Sequence, residues 1–302
     1  MNATAPVRLA TFNVLHGRPV RADGRPAAAG PEPFGPGPLI AAATALDADV
    51  LALQELDRRQ DRTGHTDQAR AVAEATGATD WRYATALHAR AAPGRRWEPD
   101  PAEPGLRLYG PPGTGHDGQS PSHGVALITR LPVLAWHAHR LPASPLAAPL
   151  PMPGRPGLTV VRDRPRAALA AVLRGRRGPF TAVVLHLSLF PGSNVRQLLA
   201  VRRWIADLPR PHLLLGDFNL GGRLPATALR AADLLTPAGA GTPGGPAGWH
   251  DLARARTFPA HRPRLQLDHI LASGLPRDHP HTAHYLRLPL SDHRPLVVDL
   301  PL

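Results

Sequence analysis

Short apolar runs recur along the whole chain, and turns rich in glycine, proline and polar residues separate them. Runs of about four to eight apolar residues without strict alternation are typical of strands that are buried on both faces. We therefore predict buried strands at residues 9–15, 50–53, 125–129, 167–173, 180–187, 212–215, 266–271 and 296–300.

Helical patterns lie between several of these strands. The clearest places Leu198, Val201 and Ile205 close to one stripe of a helical surface. Gly77 follows another such pattern and is a candidate for the left-handed residue that ends a helix. Helices are predicted at residues 38–46, 67–76, 194–208 and 225–232.

Four stretches rich in proline and glycine are predicted to be loops, at residues 19–38, 93–123, 142–157 and 237–248. Proline lacks the backbone donor of a β-ladder, so we expect none of these stretches to add to a sheet. Residues 142–157 are of low complexity, which is also compatible with disorder. Because no repeat is evident and the loops only punctuate the strands, we predict a single domain over residues 1–302.

The amino-acid composition limits which kinds of site the chain can form. The 302 residues are enough to bury a large core without disulfides. The chain has no cysteine, which excludes disulfides, thiolate metal ligands and a cysteine nucleophile. Any metal ion must therefore bind oxygen and imidazole ligands, a set that suits Mg²⁺, Mn²⁺ or Ca²⁺ better than a structural zinc.

The formal net charge is +12, and all 35 basic residues are arginine. Arginine binds phosphate in a bidentate manner, and a basic surface attracts nucleic acid or anionic lipid. A GC-rich gene also encodes much alanine, arginine, glycine and proline and little lysine. The charge alone is therefore weak evidence for a nucleic-acid partner. The first residues have no apolar signal region, and no stretch reaches the ~18 apolar residues of a membrane span, so we expect a cytoplasmic protein.

Polar residues at the ends of the apolar runs are the main candidates for a site. Asn13, Glu55 and His186 each interrupt or follow such a run. Taken singly, each has a simpler interpretation. Asn13 would be a turn residue, Glu55 would lie where a strand leaves the core for solvent, and His186 would be a buried histidine with its hydrogen bonds made inside the core. As functional groups, Glu55 would be a hard oxygen ligand for Mg²⁺, and His186 would donate a hydrogen bond or a proton to a phosphate oxygen.

The segment Gly216-Asp217-Phe218-Asn219 follows another apolar run. Asp217 and Asn219 are two residues apart, so we expect their side chains to point the same way on an extended segment. Gly216 permits a close approach of another backbone segment. A carboxylate beside an amide is able to hold a water molecule and a phosphate oxygen.

Two acid–histidine dipeptides, Asp268-His269 and Asp292-His293, occur near the end of the chain. Such dipeptides also arise by chance at caps, but each of these adjoins an apolar run. A buried aspartate beside a histidine sets the tautomer of the imidazole and raises its basicity.

The order of these groups, from Asn13 and Glu55 through His186 and Gly-Asp-Phe-Asn to Ser-Asp-His-Arg-Pro at residues 291–295, resembles the endonuclease/exonuclease/phosphatase superfamily. The resemblance extends from residue 9 to residue 300. It implies the deoxyribonuclease-I-like fold, an α/β (α+β) four-layer sandwich in which two packed mixed β-sheets are flanked by helices. It also implies a site at one edge of the sandwich, where loops meet.

The resemblance implies a divalent metal cofactor, Mg²⁺ or Mn²⁺. Glu55 is then the principal metal ligand, Asn13 supports the same metal and phosphate environment, and Asp292 occupies the metal position of the Ser-Asp-His motif. A phosphodiester resists attack because its anionic oxygens repel a nucleophile, and a divalent ion neutralises that charge.

Five further residues are implied to act on the phosphate ester. Asp217 orients or deprotonates the attacking water, and Asn219 holds the phosphate and the Asp217 carboxylate in place. His186 contacts a non-bridging or leaving oxygen. His293 is a base or a stabiliser of the transition state, and Asp268 orients His293.

The chain also departs from the family pattern. No glutamate lies around residues 163–166, where many relatives have one. Arg166, Arg196 and Gln197 lie where family members often have structural or phosphate-facing polar groups, and we expect them to be solvated or structural and not catalytic. No segment resembles the Trp-Cys-Asp-Arg segment of inositol polyphosphate phosphatases. The lysine-rich, aromatic DNA-contact loops of abasic-site endonucleases are also missing, since the chain has no lysine and only 5% aromatic residues.

The predicted function is a divalent-metal-dependent phosphoesterase, a monomer that hydrolyses phosphodiester bonds in the manner of a nuclease. An alternative is a phosphatase or phosphodiesterase of a small phosphorylated metabolite or lipid head group. A third possibility is a catalytically silent binding protein, which predicts losses among Glu55, Asp217, Asn219, Asp292 and His293. All five are present, so this possibility ranks last.

Overall fold

Strands dominate the part of the chain that the computed structural model describes, which is residues 5–28, 32–91, 97–151, 157–235 and 248–302. The strands of these residues are β1 (Val7–Asn13), β2 (Val50–Arg58), β3 (Asp80–Arg90), β4 (Glu98–Pro99), β5 (Leu108–Tyr109), β6 (Ser122–Thr129), β7 (Val133–Leu141), β8 (Ala147–Pro151), β9 (Leu158–Arg162), β10 (Arg166–Gly175), β11 (Gly178–His186), β12 (His212–Asp217), β13 (His250–Asp251), β14 (Asp268–Ser273), β15 (Thr282–Tyr285) and β16 (Leu296–Leu300). The helices are α1 (Gly37–Leu46), α2 (Gln68–Ala75), α3 (Ser193–Trp204) and α4 (Leu224–Leu235).

These strands form two large sheets and one separate hairpin. The first sheet has the order β15-β16-β1-β2-β6-β3-β4, with β5 also paired to β3. The second sheet has the order β13-β14-β12-β11-β10-β7. Both sheets are mixed, because β1 runs parallel to β2 and β11 runs parallel to β12, whereas the neighbouring pairs are antiparallel.

The two sheets pack face to face, and helices cover their outer faces. Leu9 of β1 belongs to the apolar cluster between the sheets. Phe12 of the same strand belongs to a second cluster, with Leu39 of α1. In the second sheet, Leu185 of β11 clusters with Leu198 of α3. This succession of helices, sheet, sheet and helices confirms the predicted four-layer sandwich.

The predicted strands and helices are all present, with their ends shifted by a few residues. Gly77 follows α2 with the predicted left-handed backbone, at a φ of 66°. Asp67 lies just before that helix and caps it, since its side chain accepts a hydrogen bond from the Arg70 backbone N–H at 3.1 Å. None of the helices in the described residues is long and apolar enough to cross a lipid bilayer.

The long strands β3 and β7 are not predicted from the sequence. In β3, polar residues such as Arg82 and His88 interrupt the apolar ones. Strand β7 lies at an edge of the second sheet, and its Leu134 side chain is 49% exposed. A strand with one solvated face needs no continuous apolar run, so a search for such runs misses it.

The expectation that the proline-rich stretches stay out of sheets is wrong at two places. Strands β4 and β5 lie within residues 93–123, and residues 142–157 contain β8, which pairs with β9. The β8–β9 hairpin joins neither large sheet, and a two-stranded ribbon has free edges at which proline is tolerated. Residues 92–96 and 152–156, and the predicted loop 237–248 except Gly248, lie outside the described residues.

Candidate active site

Strand order brings candidate residues from distant parts of the chain to one edge of the sandwich. Asn13, at the end of β1, lies opposite Gln54 of the parallel strand β2. His186, at the end of β11, lies opposite Asp217 at the end of the parallel strand β12. Asp268 begins the antiparallel strand β14 and also lies opposite Asp217. The carboxyl ends of β1, β2, β11 and β12 and the start of β14 therefore meet at the same place.

A bulge in β2 presents Glu55 to this edge. The pairing of β2 with β6 shifts register between Gln54 and Leu56, and Glu55 has a left-handed φ of 60°. A bulge leaves one residue outside the ladder and re-aims its side chain, here in a backbone conformation that is strained for any residue except glycine. The Asn13 amide donates to Glu55 Oε1 at 3.2 Å and to Asp217 Oδ2 at 3.0 Å, so it links carboxylates of the two sheets.

Asp217 lies at the centre of the site. Its Oδ1 accepts a hydrogen bond from the Asn219 backbone N–H at 3.0 Å, and its Oδ2 accepts from Asn13. The Nε2 atoms of His186 and His293 lie 3.6 and 3.7 Å from Asp217 Oδ2. The carboxylate is therefore fixed at both oxygens and faces two imidazoles.

The Gly-Asp-Phe-Asn segment is only partly as predicted. Gly216 lies so close to β11 that a Cβ would collide with the carbonyl oxygen of Leu185, which agrees with the predicted close approach. The strand ends at Asp217, and Asn219 has a left-handed φ of 49°. The Asn219 side chain donates to the carbonyl oxygen of Leu187 at 3.0 Å. The prediction of an extended segment through Asn219 is therefore wrong, because the backbone turns after Asp217.

Ser291 holds the Ser-Asp-His motif in place, and sequence reasoning did not single it out. Its hydroxyl donates to the carbonyl oxygen of Asn13 at 2.6 Å and accepts from the His293 backbone N–H at 3.2 Å. Its backbone is left-handed, with a φ of 67°. His293 Nδ1 then lies 2.8 Å from Asp268 Oδ2. The only sequence signal for this role is the serine of the motif itself.

Burial and neighbouring charges give the two site histidines opposite properties. Burial lowers the pKa of His293, but the carboxylates of Asp268 and Asp217 raise it by more, so the net pKa is well above its usual value. Burial and then the Arg166 guanidinium lower the pKa of His186 well below its usual value. At neutral pH the site therefore contains a protonated His293 and a neutral His186.

The pKa of the Asp217 carboxyl is raised to about 6. Burial is the largest cause and raises it, the charge of His293 lowers it, and the neighbouring Asp268 carboxylate raises it again. A carboxylate with a pKa near neutrality is able to exchange a proton at physiological pH.

Glu55 and Asp292 leave carboxylate oxygens available to a cation. In the described residues, the side-chain contact of Glu55 is Asn13, and that of Asp292 is the Ser291 hydroxyl at 3.5 Å. Burial raises the pKa of the Asp292 carboxyl, His293 lowers it and the nearby Glu55 carboxylate raises it. Burial also raises the pKa of Glu55, but His186 and other histidines lower it to a net value of about 2. Two neighbouring carboxylates with free lone pairs fit a hard divalent cation.

A second group of side chains also fits a cation. Ligand atoms of Asp217, Asp268 and His293 all lie within 4.8 Å of one another. Asp268 Oδ1 is buried without a hydrogen-bond partner in the structure. An orphaned buried carboxylate oxygen is costly unless a ligand satisfies it, so this group is a second candidate for a metal ion.

A rim of arginine and histidine side chains, which sequence reasoning missed, lies next to the carboxylates of Glu55 and Asp292. Arg62 donates to both oxygens of the buried Asp57, at 2.7 and 2.9 Å, and His123 Nδ1 lies 2.9 Å from Asp57 Oδ1. Arg62 also lies over the ring of Trp97, 5.1 Å from its centroid. Arg18 is half-buried, and its Nε has no hydrogen-bond partner. Arginine and histidine at scattered positions in an arginine-rich sequence carry no signal of such a rim.

Residues 10–293 match the family described as the Endonuclease/Exonuclease/phosphatase family. The chain is similar in structure to an endonuclease/exonuclease/phosphatase from Beutenbergia cavernae DSM 12333, at 19% identity and a TM-score of 0.58, over 99% of this chain and 72% of that one. A protein from Bacteroides vulgatus with the same description has 15% identity and a TM-score of 0.58, over 99% and 100%. A mannosyl-6-phosphatase from Bacteroides thetaiotaomicron VPI-5482 has 15% identity and a TM-score of 0.53, over 97% and 98%. No curated protein sequence matches this chain.

Proposed function

This chain belongs to the endonuclease/exonuclease/phosphatase family, and from that premise we propose that it is a divalent-metal-dependent hydrolase of phosphodiester bonds. The family name joins nucleases and phosphatases, which all hydrolyse phosphate esters. The observation that carries the proposal is the convergence, at one edge of the sandwich, of two carboxylates open to a cation with a carboxylate between two histidines.

The metal ligands of the proposal are Glu55 and Asp292, for Mg²⁺ or Mn²⁺. When bound there, such an ion supplies charge neutralisation at the phosphate and polarises its leaving oxygen. Asn13 is predicted to support the same metal. Its Oδ1 accepts a hydrogen bond from the Leu15 backbone N–H at 3.1 Å, so its contacts favour a role in positioning the two carboxylates that its amide nitrogen contacts.

Asp217 acts as the base in this proposal. Its Oδ2 takes a proton from the attacking water, while Asn13 and the Asn219 backbone N–H hold the carboxylate still. A pKa of about 6 leaves the group mostly ionised at neutral pH and basic enough to accept a proton. A positioned general base contributes about 10²–10⁴-fold to the rate.

The two histidines act on the phosphate oxygens. His293 is protonated and held by Asp268, so its Nε2 is able to donate a hydrogen bond or proton to an oxygen of the phosphate. His186 is neutral and lies on the other side of Asp217, where its imidazole N–H contacts a non-bridging oxygen. Asn219 holds the Asp217 carboxylate through its backbone N–H, and one hydrogen bond from its side-chain amide to Leu187 fixes that side chain.

A phosphodiester is the proposed substrate, and nucleic acid is the proposed polymer. Arg18 supports an anionic substrate, because it lies near Asp292 and has a free Nε, whereas Arg62 is already paired with Asp57. The alternative is a small phosphorylated metabolite or lipid head group, and one fold neighbour is described as a mannosyl-6-phosphatase. The cytoplasmic location, the monomeric state and the single domain also stay predictions.

The test is hydrolysis of bis-p-nitrophenyl phosphate, p-nitrophenyl phosphate, plasmid DNA and single-stranded RNA, with Mg²⁺, Mn²⁺ or EDTA. We expect diester cleavage with either metal and none with EDTA. Asp217→Asn should lower kcat/KM by about 10²–10⁴-fold. Glu55→Gln should raise the metal concentration required for half-maximal activity.

Glu74→Gln is the matched control, because Glu74 lies on α2 with a side chain that is 62% exposed. It should leave activity and metal dependence unchanged. Cleavage of the small esters but never of the polymers would favour the alternative substrate class. Absence of any hydrolysis with either metal would contradict both.

A further inference from the structure

Three arginines and two aromatic side chains form a continuous line of contacts beside the acidic centre. The Arg18 Cζ atom lies 5.8 Å from the centroid of the Phe34 ring. The Phe34 backbone N–H donates to the carbonyl oxygen of Arg62 at 2.9 Å. The Cζ atoms of Arg62 and Arg164 lie 5.1 and 4.7 Å from the centroid of the Trp97 ring. We call this line, in the order Arg18, Phe34, Arg62, Trp97 and Arg164, the arginine–aromatic stripe.

Both ends of the stripe adjoin the proposed site. The Arg18 carbonyl oxygen accepts a hydrogen bond from the Ser291 backbone N–H at 2.9 Å, so this end lies beside the Ser-Asp-His motif. Arg164, at the other end, is two residues before Arg166, whose Nη1 lies 3.3 Å from the ring nitrogens of His186. The stripe therefore extends from the loop before β16 to the segment before β10, along the edge of the sandwich that carries the site.

The middle of the stripe lies beside Glu55. Asp57, two residues after Glu55 on β2, accepts hydrogen bonds from Arg62 Nε and Nη2 at 2.7 and 2.9 Å. His123 lies opposite Asp57 on β6, and its ring centroid is 5.3 Å from that of Trp97. Strands β2 and β6 therefore hold Arg62 and Trp97 next to the proposed metal ligand.

The stripe combines flat surfaces with a poorly compensated charge. Arg18, Phe34, Arg62 and Trp97 are half-buried, and Arg164 is exposed. Arg18 Nε is buried without a hydrogen-bond partner among the described residues, and burial and then the charge of Arg62 lower the pKa of the Arg18 guanidinium. A partly buried cation in this setting favours an anionic ligand. Rings and guanidinium planes that are already packed in place lose little freedom when a flat ligand stacks on them.

We propose that the arginine–aromatic stripe binds an unpaired nucleic-acid strand next to the cleaved phosphate, with bases stacked on its planar groups and backbone phosphates against its cations. Aromatic rings and guanidinium planes stack on any base whose face is open, and cations beside them contact the backbone. A duplex keeps its base faces stacked inside, so the same groups have less to bind. The inference rests on the proposed function for the kind of bond that is cleaved, but binding itself needs no turnover.

No lysine-rich, aromatic DNA-contact loop is recognisable in the sequence, and the stripe forms such a surface without one. Its members are spread from residue 18 to residue 164, and each is an isolated arginine or aromatic residue in its own segment. The fold brings them together, because the segments after β1, β2 and β3 and the segment before β10 meet at one edge.

The test is the fluorescence anisotropy of a labelled single strand of about 12 nucleotides, titrated with metal-free protein in EDTA. Strands of DNA and of RNA are compared with a DNA duplex of the same sequence. We expect both single strands to bind more tightly than the duplex. Trp97→Leu should weaken single-strand binding by about tenfold or more, the usual effect of losing one stacked base. A duplex that binds as tightly as the single strands would overturn the inference.

A strand of the same length without bases separates stacking from charge. Trp97→Leu should bind this abasic strand as tightly as the wild type does, because only stacking is lost. Arg18→Met should weaken the binding of both strands and reduce the slope of log affinity against log salt concentration by about 1. Thermal unfolding checks that both variants are folded, and Arg18→Met carries the test if Trp97→Leu is not. An equal loss for the abasic strand in folded Trp97→Leu would contradict the stacking and overturn the inference.

Two controls match these variants. Trp136 lies in the middle of β7, away from the site, and the Arg82 Cζ atom is 5.3 Å from the centroid of its ring. Arg174 is exposed near the end of β10 that lies far from the site. Trp136→Leu and Arg174→Met should therefore bind every strand as the wild type does. Losses in the controls as large as those in Trp97→Leu and Arg18→Met would overturn the inference.

Turnover distinguishes this inference from the proposed function. With Mg²⁺, Trp97→Leu should lower kcat/KM for the single strand at least about tenfold more than for bis-p-nitrophenyl phosphate, which spans one phosphate only. Equal losses for the two substrates would mean that Trp97 supports the acidic centre and would overturn the inference. If the wild type hydrolyses no ester, the proposed function fails, and the anisotropy measurements still decide whether the stripe binds a strand.

Discussion

Two acid–histidine pairs meet at consecutive residues of β14, and they differ in what surrounds them. His269 Nδ1 lies 2.8 Å from Asp251 Oδ2, and His293 Nδ1 lies 2.8 Å from Asp268 Oδ2. Asp268 and His269 are consecutive residues of β14, and both are fully buried. Distance and burial alone therefore do not distinguish the two pairs.

The remaining atoms of each pair distinguish them. In the first pair, His269 Nε2 contacts the carbonyl oxygen of Leu220 at 2.9 Å, so both ring nitrogens have partners. In the second pair, Asp268 Oδ1 is buried without a partner, and His293 Nε2 lies 3.7 Å from a third group, Asp217. A saturated pair stabilises the fold, whereas a pair with a free acceptor is one that a ligand completes.

The largest expected contrast is in turnover. His293→Gln should lower kcat/KM by about 10²–10⁴-fold, because it removes the proposed proton donor while keeping a side chain of similar length. His269→Gln should change kcat/KM little, because His269 faces Leu220 and Asp251 and does not contact the proposed site. The measurement is hydrolysis of bis-p-nitrophenyl phosphate with Mg²⁺. Losses of similar size in both variants would break the comparison.

The pair that contains His269 should matter for the stability of the fold and not for turnover. His269→Leu leaves Asp251, whose side chain is 4% exposed, without its imidazole partner. Breaking a buried pair in this way costs about 3–5 kcal/mol, measured as the free energy of unfolding in urea. Adding Asp251→Asn to that variant removes the unpaired charge and should recover part of the loss. A loss below about 1 kcal/mol for His269→Leu would show that the pair is not structural.

The sequence identifies the chemistry of the site better than its geometry. The Asp268-His269 and Asp292-His293 dipeptides stand out beside apolar runs, and the strand order brings the predicted site residues to one edge. The residue pattern by itself does not separate His269 from His293, because the difference lies in partners from distant segments, and only the resemblance to the family singles out His293. Asp251 is such a partner, and it belongs to a two-residue strand without any motif.

Backbone conformation accounts for the other features of the site that the sequence does not predict. The strands with both faces buried are predicted, because burial demands apolar residues at every position. Glu55, Asn219 and Ser291 have left-handed backbones, which neither their residue types nor their neighbours specify. Tertiary contacts hold them there, such as the hydrogen bond of the Asn219 side chain to Leu187. Local sequence therefore predicts which residues enter the site, and the long-range contacts determine where each side chain points.

The smallest expected effect is the dependence of stability on pH that the His293 side chain causes. Its pKa in the folded protein is raised well above the unfolded value near 6.5. Below about pH 6.5 both states bind the proton, and the stabilising contribution is fully present. Above that pH only the folded state keeps the proton, so the metal-free wild type should lose up to about 1.4 kcal/mol per pH unit until the folded pKa is passed. Urea unfolding in EDTA, compared between the wild type and His293→Gln from pH 6 to pH 9, measures the contribution of His293 together with that of Asp217, whose pKa the His293 charge lowers. Parallel curves would mean that folding does not raise the pKa of His293, and the contrast between the two pairs would then rest on the unpartnered Asp268 oxygen alone.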